Sequence, residues 1–318
     1  MSRLGLLPQQ PEKPLPEDCC GNGCNPCVLD VYQELLLKWE NDCRGVIEPN
    51  SRIGAPVLSV TKYMPFQLVS IRKLTKDTNT YRFQAVVTGP SQTKLVEGEL
   101  GCLPGQYLML RNSSSRQQGK SGPSESTVSR AYTPISFARH GQGVFEVMIK
   151  IYSKGKMSAF VKELKVGDVT FWRGPYGSFR YERNSFRCIL MLGAGTGVAP
   201  LYAIAESIVN DEQDDSFINF MFACKSVRDI LLRDEIRSLC SFWNFRAEIY
   251  LSNDDNGTAR YGENLKFSRI GKEQVESRIR GLEKEKCLVL ICGPTTFTES
   301  MGNSVKLCGV PVENIHTF

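Results

Sequence analysis

A short apolar segment, Cys188–Leu192, runs directly into the glycine-rich sequence Gly193-Ala-Gly-Thr-Gly-Val-Ala-Pro200. Glycines let the backbone approach a pyrophosphate, and the amino terminus of a following helix offers N–H donors to it. The pattern therefore predicts a strand, a phosphate-facing turn and the start of a helix. Its spacing differs from the dinucleotide fingerprint G-x-G-x-x-G because Val198 occupies the last position, and a merely tight turn remains the alternative.

The chain after Asn184 alternates apolar strands with helices. This alternation predicts a parallel sheet with crossover helices over residues 186–318. Ligands of such sheets bind at the carboxyl ends of strands, where Cys292-Gly-Pro294 follows an apolar run. Cys292 is therefore a candidate for a nicotinamide site, the alternative being a buried strand-end cysteine. The predicted elements are Cys188–Leu192, Pro200–Val209, Phe217–Ala223, Leu231–Cys240, Arg246–Leu251, Gln274–Gly281 and Cys287–Cys292.

Residues 62–180 instead show short alternating strands separated by turns, which predicts an antiparallel barrel. The polar segment Asn112–Ser129 between two of the strands predicts a mobile surface loop. The fold class is therefore a β-barrel followed by an α/β domain. The predicted strands are Gln67–Leu74, Thr80–Thr88, Gln106–Arg111, Arg130–Phe137 and Gly143–Tyr152.

Two segments of the barrel half carry groups suited to a flavin nucleotide. In Arg130-Ala-Tyr-Thr-Pro134 the guanidinium can pair with a pyrophosphate, the phenol can lie against a ring system, and the threonine can hydrogen-bond a ring nitrogen. An edge strand with solvent-facing polar groups is the alternative. Downstream, Lys154-Gly-Lys-Met-Ser158 precedes a helix predicted over Ala159–Leu164, and we expect Ser158 to cap it at an anion site.

The amino-terminal part has two sections, a flexible tail over residues 1–18 and a cysteine-rich module over 19–50. The motif Cys19-Cys-Gly-Asn-Gly-Cys-Asn-Pro-Cys27 offers four thiols as zinc or iron–sulfur ligands, with reduced or redox-active thiols as the alternative. The candidate metal ligands are Cys19, Cys20, Cys24 and Cys27. Apolar residues at helical spacing predict an amphipathic helix over Asp30–Trp39, with Asp30 as its N-cap.

Composition excludes several classes of function. The net charge is +5, but basic and acidic residues alternate, so nucleic-acid binding is not expected. Only two histidines, His140 and His316, argue against a histidine-rich metal site. No signal peptide, membrane span or lipidation motif is evident. We therefore expect a soluble intracellular protein, cytoplasmic or organelle-associated and not secreted.

Over residues 62–318 the chain resembles the ferredoxin-NADP reductase superfamily and, within it, the NADH-cytochrome b5 reductases. The amino-terminal cysteine motif resembles the oxidoreductase-like domain. The segments that carry the first resemblance occur in the family's order and are Pro104-Gly-Gln-Tyr107, Arg130-Ala-Tyr-Thr-Pro134, Gly155-Lys-Met-Ser158, Arg173-Gly-Pro-Tyr-Gly177, Gly193–Pro200, Lys225–Arg233 and Cys292-Gly-Pro294.

The resemblance implies a Greek-key FAD-binding barrel over 62–180 and an NAD-binding domain over 186–318. It implies hydride transfer from NADH to FAD, followed by single-electron transfer to an acidic haem protein such as cytochrome b5. A quinone or iron–sulfur acceptor is one alternative. A metal-binding, partner-docking protein with little turnover is another.

The resemblance also assigns site residues. It implies catalytic positions at Thr133, Thr196 and Cys292. Asp229 is expected near the adenosine ribose, where a carboxylate would repel a 2'-phosphate and favour NADH, although Lys225 and Arg228 could receive that phosphate. The residues expected at FAD are Arg130, Tyr132, Thr133, Pro134, Ile149, Lys150, Ile151, Gly155, Lys156, Met157 and Ser158. Those expected at the nicotinamide dinucleotide are Gly193, Thr196, Gly197, Asp229, Gly293 and Pro294.

Overall fold

The computed structural model describes residues 11–14, 18, 27–29, 31–32, 35–36, 39, 57–89, 93–114, 127–137, 143–254 and 256–318. Backbone contacts divide the chain into two compact units. The first comprises Met1–Arg72 and Thr80–Gly177, and the second comprises Lys73–Asn79 and Ser178–Phe318. None of the helices in the described ranges is long and apolar enough to cross a membrane.

The first unit is built on an antiparallel, barrel-like sheet with strand order β5-β4-β8-β1-β2-β7-β6, and β3 pairs with β2. Strand β8 pairs antiparallel with both β1 and β4, while β4 pairs with β5 and β6 with β7. The strands are β1 (Met64–Lys73), β2 (Thr78–Thr88), β3 (Thr93–Leu95), β4 (Tyr107–Ser114), β5 (Ser129–Tyr132), β6 (Pro134–Phe137), β7 (Val144–Lys150) and β8 (Val169–Tyr176), and helix α1 spans Lys156–Glu163. The predicted antiparallel barrel is confirmed.

Aromatic side chains form the centre of this unit. Phe66, Phe83, Phe145 and Trp172 are all fully buried. The Trp172 ring centroid lies 4.9 Å from that of Phe83 and 5.0 Å from that of Phe145. Tilted and edge-on ring pairs at this separation add to the stabilisation from burial. The inward-facing positions of β1, β2, β7 and β8 therefore hold the barrel closed.

Two predictions in this unit are wrong in detail. The single strand predicted over Arg130–Phe137 is two strands, β5 and β6, which lie at opposite ends of the strand order. Pro134, which has no N–H to donate, begins β6, a position where strands tolerate proline. Asn112, predicted to start a loop, lies in β4, and its backbone N–H donates to the carbonyl of Val128 at 3.0 Å. Ser129, predicted to end the loop, begins β5 opposite Arg111, and residues 115–126 lie outside the described residues.

An apolar patch lies on the outer face of the same sheet. Residues 28–29, 31–32, 35–36 and 39 are helical, and Val28, Val31 and Leu35 are buried together with Met109 and Tyr176. Val28 and Leu29 are already helical, and the Val31 N–H donates to the Cys27 carbonyl at 3.0 Å, so the helix begins before position 30 and the predicted N-cap there is wrong. The amino-terminal helix therefore packs on β4 and β8 through one apolar face. We call the five buried residues Val28, Val31, Leu35, Met109 and Tyr176 the outer cluster.

The second unit is a parallel sheet with strand order β12-β11-β10-β9-β13-β14. The chain moves outward from β9 in both directions, so β9 lies at the point where the strand order reverses. Its elements are β9 (Cys188–Ala194), α2 (Val198–Val209), β10 (Phe217–Cys224), α3 (Arg233–Leu239), β11 (Phe245–Leu251), β12 (Leu265–Lys266), α4 (Lys272–Ile279), β13 (Cys287–Cys292), α5 (Thr295–Leu307) and β14 (Ile315–Thr317). The predicted parallel sheet is confirmed, whereas β12, β14 and α5 were not predicted.

Candidate active site

The glycine-rich turn joins β9 to α2 at the carboxyl edge of the parallel sheet. A single turn of 3-10 helix, Gly195–Gly197, connects them, and Gly195 has φ +54°, a conformation that favours glycine. A Cβ on Gly197 would overlap the carbonyl oxygen of Cys292 and lie 2.7 Å from the amide nitrogen of Gly293. Glycine is therefore required at 197 because the end of β13 comes so close.

The end of β13 is equally crowded. Cys292 lies opposite Gly193 in the sheet register. A Cβ on Gly293 would lie 3.0 Å from Cβ of Ala194 and 2.8 Å from the Phe297 ring. The structure thus brings together Gly193, Gly197, Cys292 and Gly293, which the resemblance assigned to one site, and half-buried Thr196 lies in the same turn. Pro294 follows as the exposed N-cap of α5.

The Cys292 thiol is neutral in this setting. Burial raises the pKa of Cys292 to about 12, since charge is poorly solvated there. The group therefore offers a compact, polarisable surface and a weak S–H donor, and it is not a thiolate nucleophile.

Asp229 lies at the same edge of the sheet, after β10. It ends the 3-10 turn Val227–Asp229, and the Ser226 hydroxyl donates to its Oδ2 at 2.7 Å. The backbone N–H of Val227 donates to Asp254 Oδ2 at 3.0 Å, which fixes the turn. Lys225 and Arg228, which precede it in the chain, are both exposed. The carboxylate is therefore held in place while both nearby cations face solvent.

An ion pair that sequence reasoning missed lies just beyond this turn. Arg233 donates to Glu263 through Nε and Nη2, each at 2.6 Å. The pairing raises the pKa of Arg233, and it lowers the pKa of Glu263 against the opposing effect of burial. Such a two-pronged pair orients the start of α3. Arg233 is the last residue of a segment that carries the family resemblance. Its partner, Glu263, is distant in sequence, and no sequence pattern indicated that the two would pair.

In the first unit, β5 carries the predicted flavin residues. Arg130 is half-buried, and its Nη1 donates to the carbonyl of Ser129 at 2.7 Å. The Tyr132 ring lies 6.1 Å from that of Trp172, and burial raises the pKa of the phenol well above its ordinary value. Thr133 lies between β5 and β6. Ile149 and Lys150 end β7, with Ile151 following. Strand β5 therefore presents the Arg130 guanidinium beside the neutral aromatic ring of Tyr132.

The start of α1 corrects one expectation. Gly155, not Ser158, is the N-cap, and it makes no side-chain cap bond. The helix begins at Lys156, so Ser158 is its third residue, and its hydroxyl oxygen accepts from the backbone N–H of Tyr152 at 3.0 Å. That bond uses the oxygen and not the hydroxyl proton, which stays available to an anion. Met157 is buried beside it, whereas Lys156 is exposed.

A cationic cluster on the outer face of β4 and β8 also went unpredicted. The guanidinium carbon of Arg111 lies 4.1 Å from the Tyr63 ring centroid, and that of Arg173 lies 4.9 Å from it. The Tyr63 hydroxyl is 2.7 Å from Ser129 Oγ. Among the described residues, neither arginine forms an ion pair. The cluster supports β5 from the face opposite Arg130.

The described residues contain no group of three or more His, Cys, Asp or Glu side chains that could hold a metal ion. Of the predicted ligands, Cys27 is half-buried against the outer cluster. Cys19, Cys20 and Cys24 lie outside the described residues.

Family models match three stretches of the chain. Residues 65–181 match the oxidoreductase FAD-binding domain, and residues 191–302 match the oxidoreductase NAD-binding domain. Residues 5–47 match the amino-terminal region of the oxidoreductase-like proteins. The resemblance of both halves to FAD- and NAD-binding domains is thereby confirmed.

Several relatives and solved structures are similar over most of their length. A Homo sapiens protein named NADH-cytochrome b5 reductase-like is 33% identical, covering 97% of this chain and 94% of its own. The Mus musculus protein of that name is 34% identical over 97% and 95%. The cytochrome b5 reductase domain of Ulva prolifera nitrate reductase has a TM-score of 0.67 at 24% identity, covering 83% of this chain and all of that domain, which shows a shared fold. The chain therefore belongs to the NADH-cytochrome b5 reductase-like family of FAD- and NAD-binding oxidoreductases.

Proposed function

We propose that this protein takes a hydride from NADH and passes single electrons to an acidic haem protein such as cytochrome b5. The observation that carries the proposal is the close packing of the Gly197 turn against Cys292 and Gly293. This packing places main-chain atoms at the carboxyl edge of the sheet, so a dinucleotide can approach the backbone closely there. The names of the relatives support the donor and the acceptor.

We assign the FAD contacts to the first unit. Bound FAD supplies a hydride acceptor that can release electrons singly. Arg130 and the free hydroxyl proton of Ser158 suit the pyrophosphate, while Tyr132 and Thr133 suit the ring system. The remaining contacts proposed are Pro134, Ile149, Lys150, Ile151, Gly155, Lys156 and Met157.

We assign the nicotinamide dinucleotide to the second unit. Gly193, Gly197, Gly293 and Pro294 would shape its binding surface. Thr133 in the first unit and Thr196 and Cys292 in the second are the proposed catalytic residues. Thr133 would touch the flavin ring, and Thr196 and Cys292 would touch the nicotinamide ring, each holding its ring in position. Because the Cys292 thiol stays protonated, this contact would add no charge beside the nicotinamide.

Asp229 is the proposed determinant of donor choice. Its carboxylate is fixed by Ser226, and a fixed negative charge disfavours a 2'-phosphate. Removing the charge with Asp229→Asn should lower kcat/KM for NADH and raise it for NADPH, so their ratio should fall by about tenfold or more. Asp234→Asn, at an exposed carboxylate in the same unit, is the matched control. An unchanged ratio would remove Asp229 from this role.

The domain division, the N-terminal metal and the location also belong to the proposal. We propose a tail over 1–18, a cysteine module over 19–50, an FAD domain over 62–180 and an NAD domain over 186–318. Metal binding by Cys19, Cys20, Cys24 and Cys27 stays a prediction, which metal analysis of the purified full chain would test. The cysteines whose side chains are described are all free thiols, which supports a reducing intracellular compartment.

The decisive experiment is an anaerobic absorbance spectrum of the full chain before and after NADH, then after oxidised cytochrome b5. We expect NADH to bleach a flavin band and cytochrome b5 to restore it. Restoration only by a quinone or an iron–sulfur protein would support the alternative acceptors. Absence of a flavin band after reconstitution with FAD would contradict the proposal and favour a docking protein.

A variant pair tests the flavin site. Arg130→Ala should lose most of its FAD and keep its circular dichroism spectrum, because the guanidinium contributes charge to the site and little to the core. Arg72→Ala, at an arginine that is mostly exposed in the same unit, is the control and should keep its FAD. Full FAD retention by Arg130→Ala would overturn the pyrophosphate assignment.

A further inference from the structure

Two cysteines away from the proposed active site lie side by side in the parallel sheet. Cys188 begins β9 and Cys287 begins β13, and the two are direct partners in the register. Adjacent strands lie about 4.8 Å apart, and disulfides join Cα atoms about 4.4 to 6.8 Å apart. Both side chains project from the same face of the sheet into one apolar cluster. The pair is therefore within bridging range without a change of strand pairing.

The two thiols are chemically unequal. The neighbouring Cys287 thiol, which itself donates to the carbonyl of Leu288 at 3.9 Å, lowers the pKa of Cys188 despite its burial. Asn219 on β10 donates a hydrogen bond to the Cys188 sulfur from Nδ2 at 3.5 Å, with the same effect. The pKa of Cys287 is raised, chiefly by the neighbouring Cys188 sulfur and then by burial. Cys188 therefore has the more developed thiolate character, and Cys287 keeps its proton.

A cavity lies beside Asn219, the residue that donates to the Cys188 sulfur. Its volume is about 480 Å³, and Asn219, Met221, Arg246 and Glu248 are among its lining residues. Asn219 is thus both a wall of the cavity and a hydrogen-bond donor to the Cys188 sulfur. Cys188 retains 8% exposure whereas Cys287 is fully buried. Neither cysteine lines the cavity, so the Asn219 side chain separates a peroxide-sized molecule there from Cys188.

We propose that Cys188 and Cys287 form a site of reversible oxidation by hydrogen peroxide, with Cys188 as the attacking thiol and Cys287 as the resolving one. The Cys188 sulfur attacks one peroxide oxygen, the O–O bond breaks, and one water leaves as a sulfenic acid forms. The Cys287 sulfur then attacks the Cys188 sulfur, the S–O bond breaks, and a second water leaves. The two thiols lose two electrons and two protons, which reduce one peroxide to two waters.

This inference does not depend on the proposed reductase activity. It rests on the pairing of Cys188 with Cys287 in the sheet register, the hydrogen bond from Asn219 to Cys188 and the cavity beside Asn219. A disulfide between Cys188 and Cys287 would nevertheless link β9 and β13 at their first residues, and the same two strands carry Gly193 and Cys292 near their other ends. A disulfide here would also close a loop of about 100 residues, a length at which crosslinks restrict the unfolded chain strongly.

The test treats the full chain with graded hydrogen peroxide, blocks remaining thiols with N-ethylmaleimide under denaturing conditions, and maps linkages by mass spectrometry. Chymotrypsin is the protease to use, because trypsin leaves Cys188 in one peptide with Cys224 and Cys287 in one with Cys292. We expect a Cys188–Cys287 peptide that dithiothreitol removes. The proposal would be overturned if maleimide labels both residues fully at a hydrogen peroxide dose that oxidises half-buried Cys308.

Variants separate the two roles. In Cys287→Ser, dimedone labelling of Cys188 should rise several-fold, because the sulfenic acid is no longer resolved; Cys287→Ala serves if that variant does not fold. Cys188→Ser should leave Cys287 unlabelled. Asn219→Leu should slow oxidation of Cys188 several-fold, whereas Cys240→Ser, at another cysteine of the unit, should change nothing. Equal dimedone labelling of Cys188 with and without Cys287 would also overturn the assignment.

Discussion

Gly197 is the residue at which backbone geometry and the proposed dinucleotide site meet most directly. The sequence predicted a turn there, and the end of β13 was also predicted to deliver a ligand group. Their contact could not be predicted, because it depends on β9 and β13 being neighbours in a sheet whose order is set by long-range pairing. In Gly197→Ala the added Cβ must displace the backbone of Cys292 and Gly293. KM for NADH should then rise about tenfold or more, about 1.4 kcal/mol in binding, while FAD content, which depends on the other unit, stays the same. Gly302→Ala is the control, since a Cβ there meets nothing within 4 Å. Equal KM values for both variants would show that this close approach does not shape the site.

The amino-terminal helix shows what periodicity can and cannot reveal about an element. Its apolar spacing predicted one buried face, but nothing in the sequence indicated that this face would cover Met109 and Tyr176 on the outside of the barrel. The same limit explains the segment Arg130–Phe137, where uniform local alternation concealed two strands with different partners. The packing predicts a stability difference within the helix. Val31 is 1% exposed and Leu29 is 41% exposed, so Val31→Ala should lower the free energy of unfolding by about 2 kcal/mol through lost burial and a cavity, and Leu29→Ala should have little effect. Urea unfolding of the two full-length variants measures this. Equal losses would mean that the outer cluster adds no stability.

Charge is a property of the whole molecule, and it bears on the acceptor more than on either cofactor. The chain carries 39 Lys and Arg against 34 Asp and Glu, a net charge of +5, so an acidic haem protein would be attracted during encounter. Such steering acts on association rates and is screened by salt, with a Debye length of about 10 Å at 0.1 M and about 3 Å at 1 M. We therefore expect the second-order rate of cytochrome b5 reduction to fall about tenfold or more as salt is raised across that range. Reduction of the protein by saturating NADH, measured by stopped flow without acceptor, is the internal control and should change much less, because the donor is already bound. A cytochrome b5 rate that is insensitive to salt, or that rises with it, would argue for an uncharged acceptor such as a quinone.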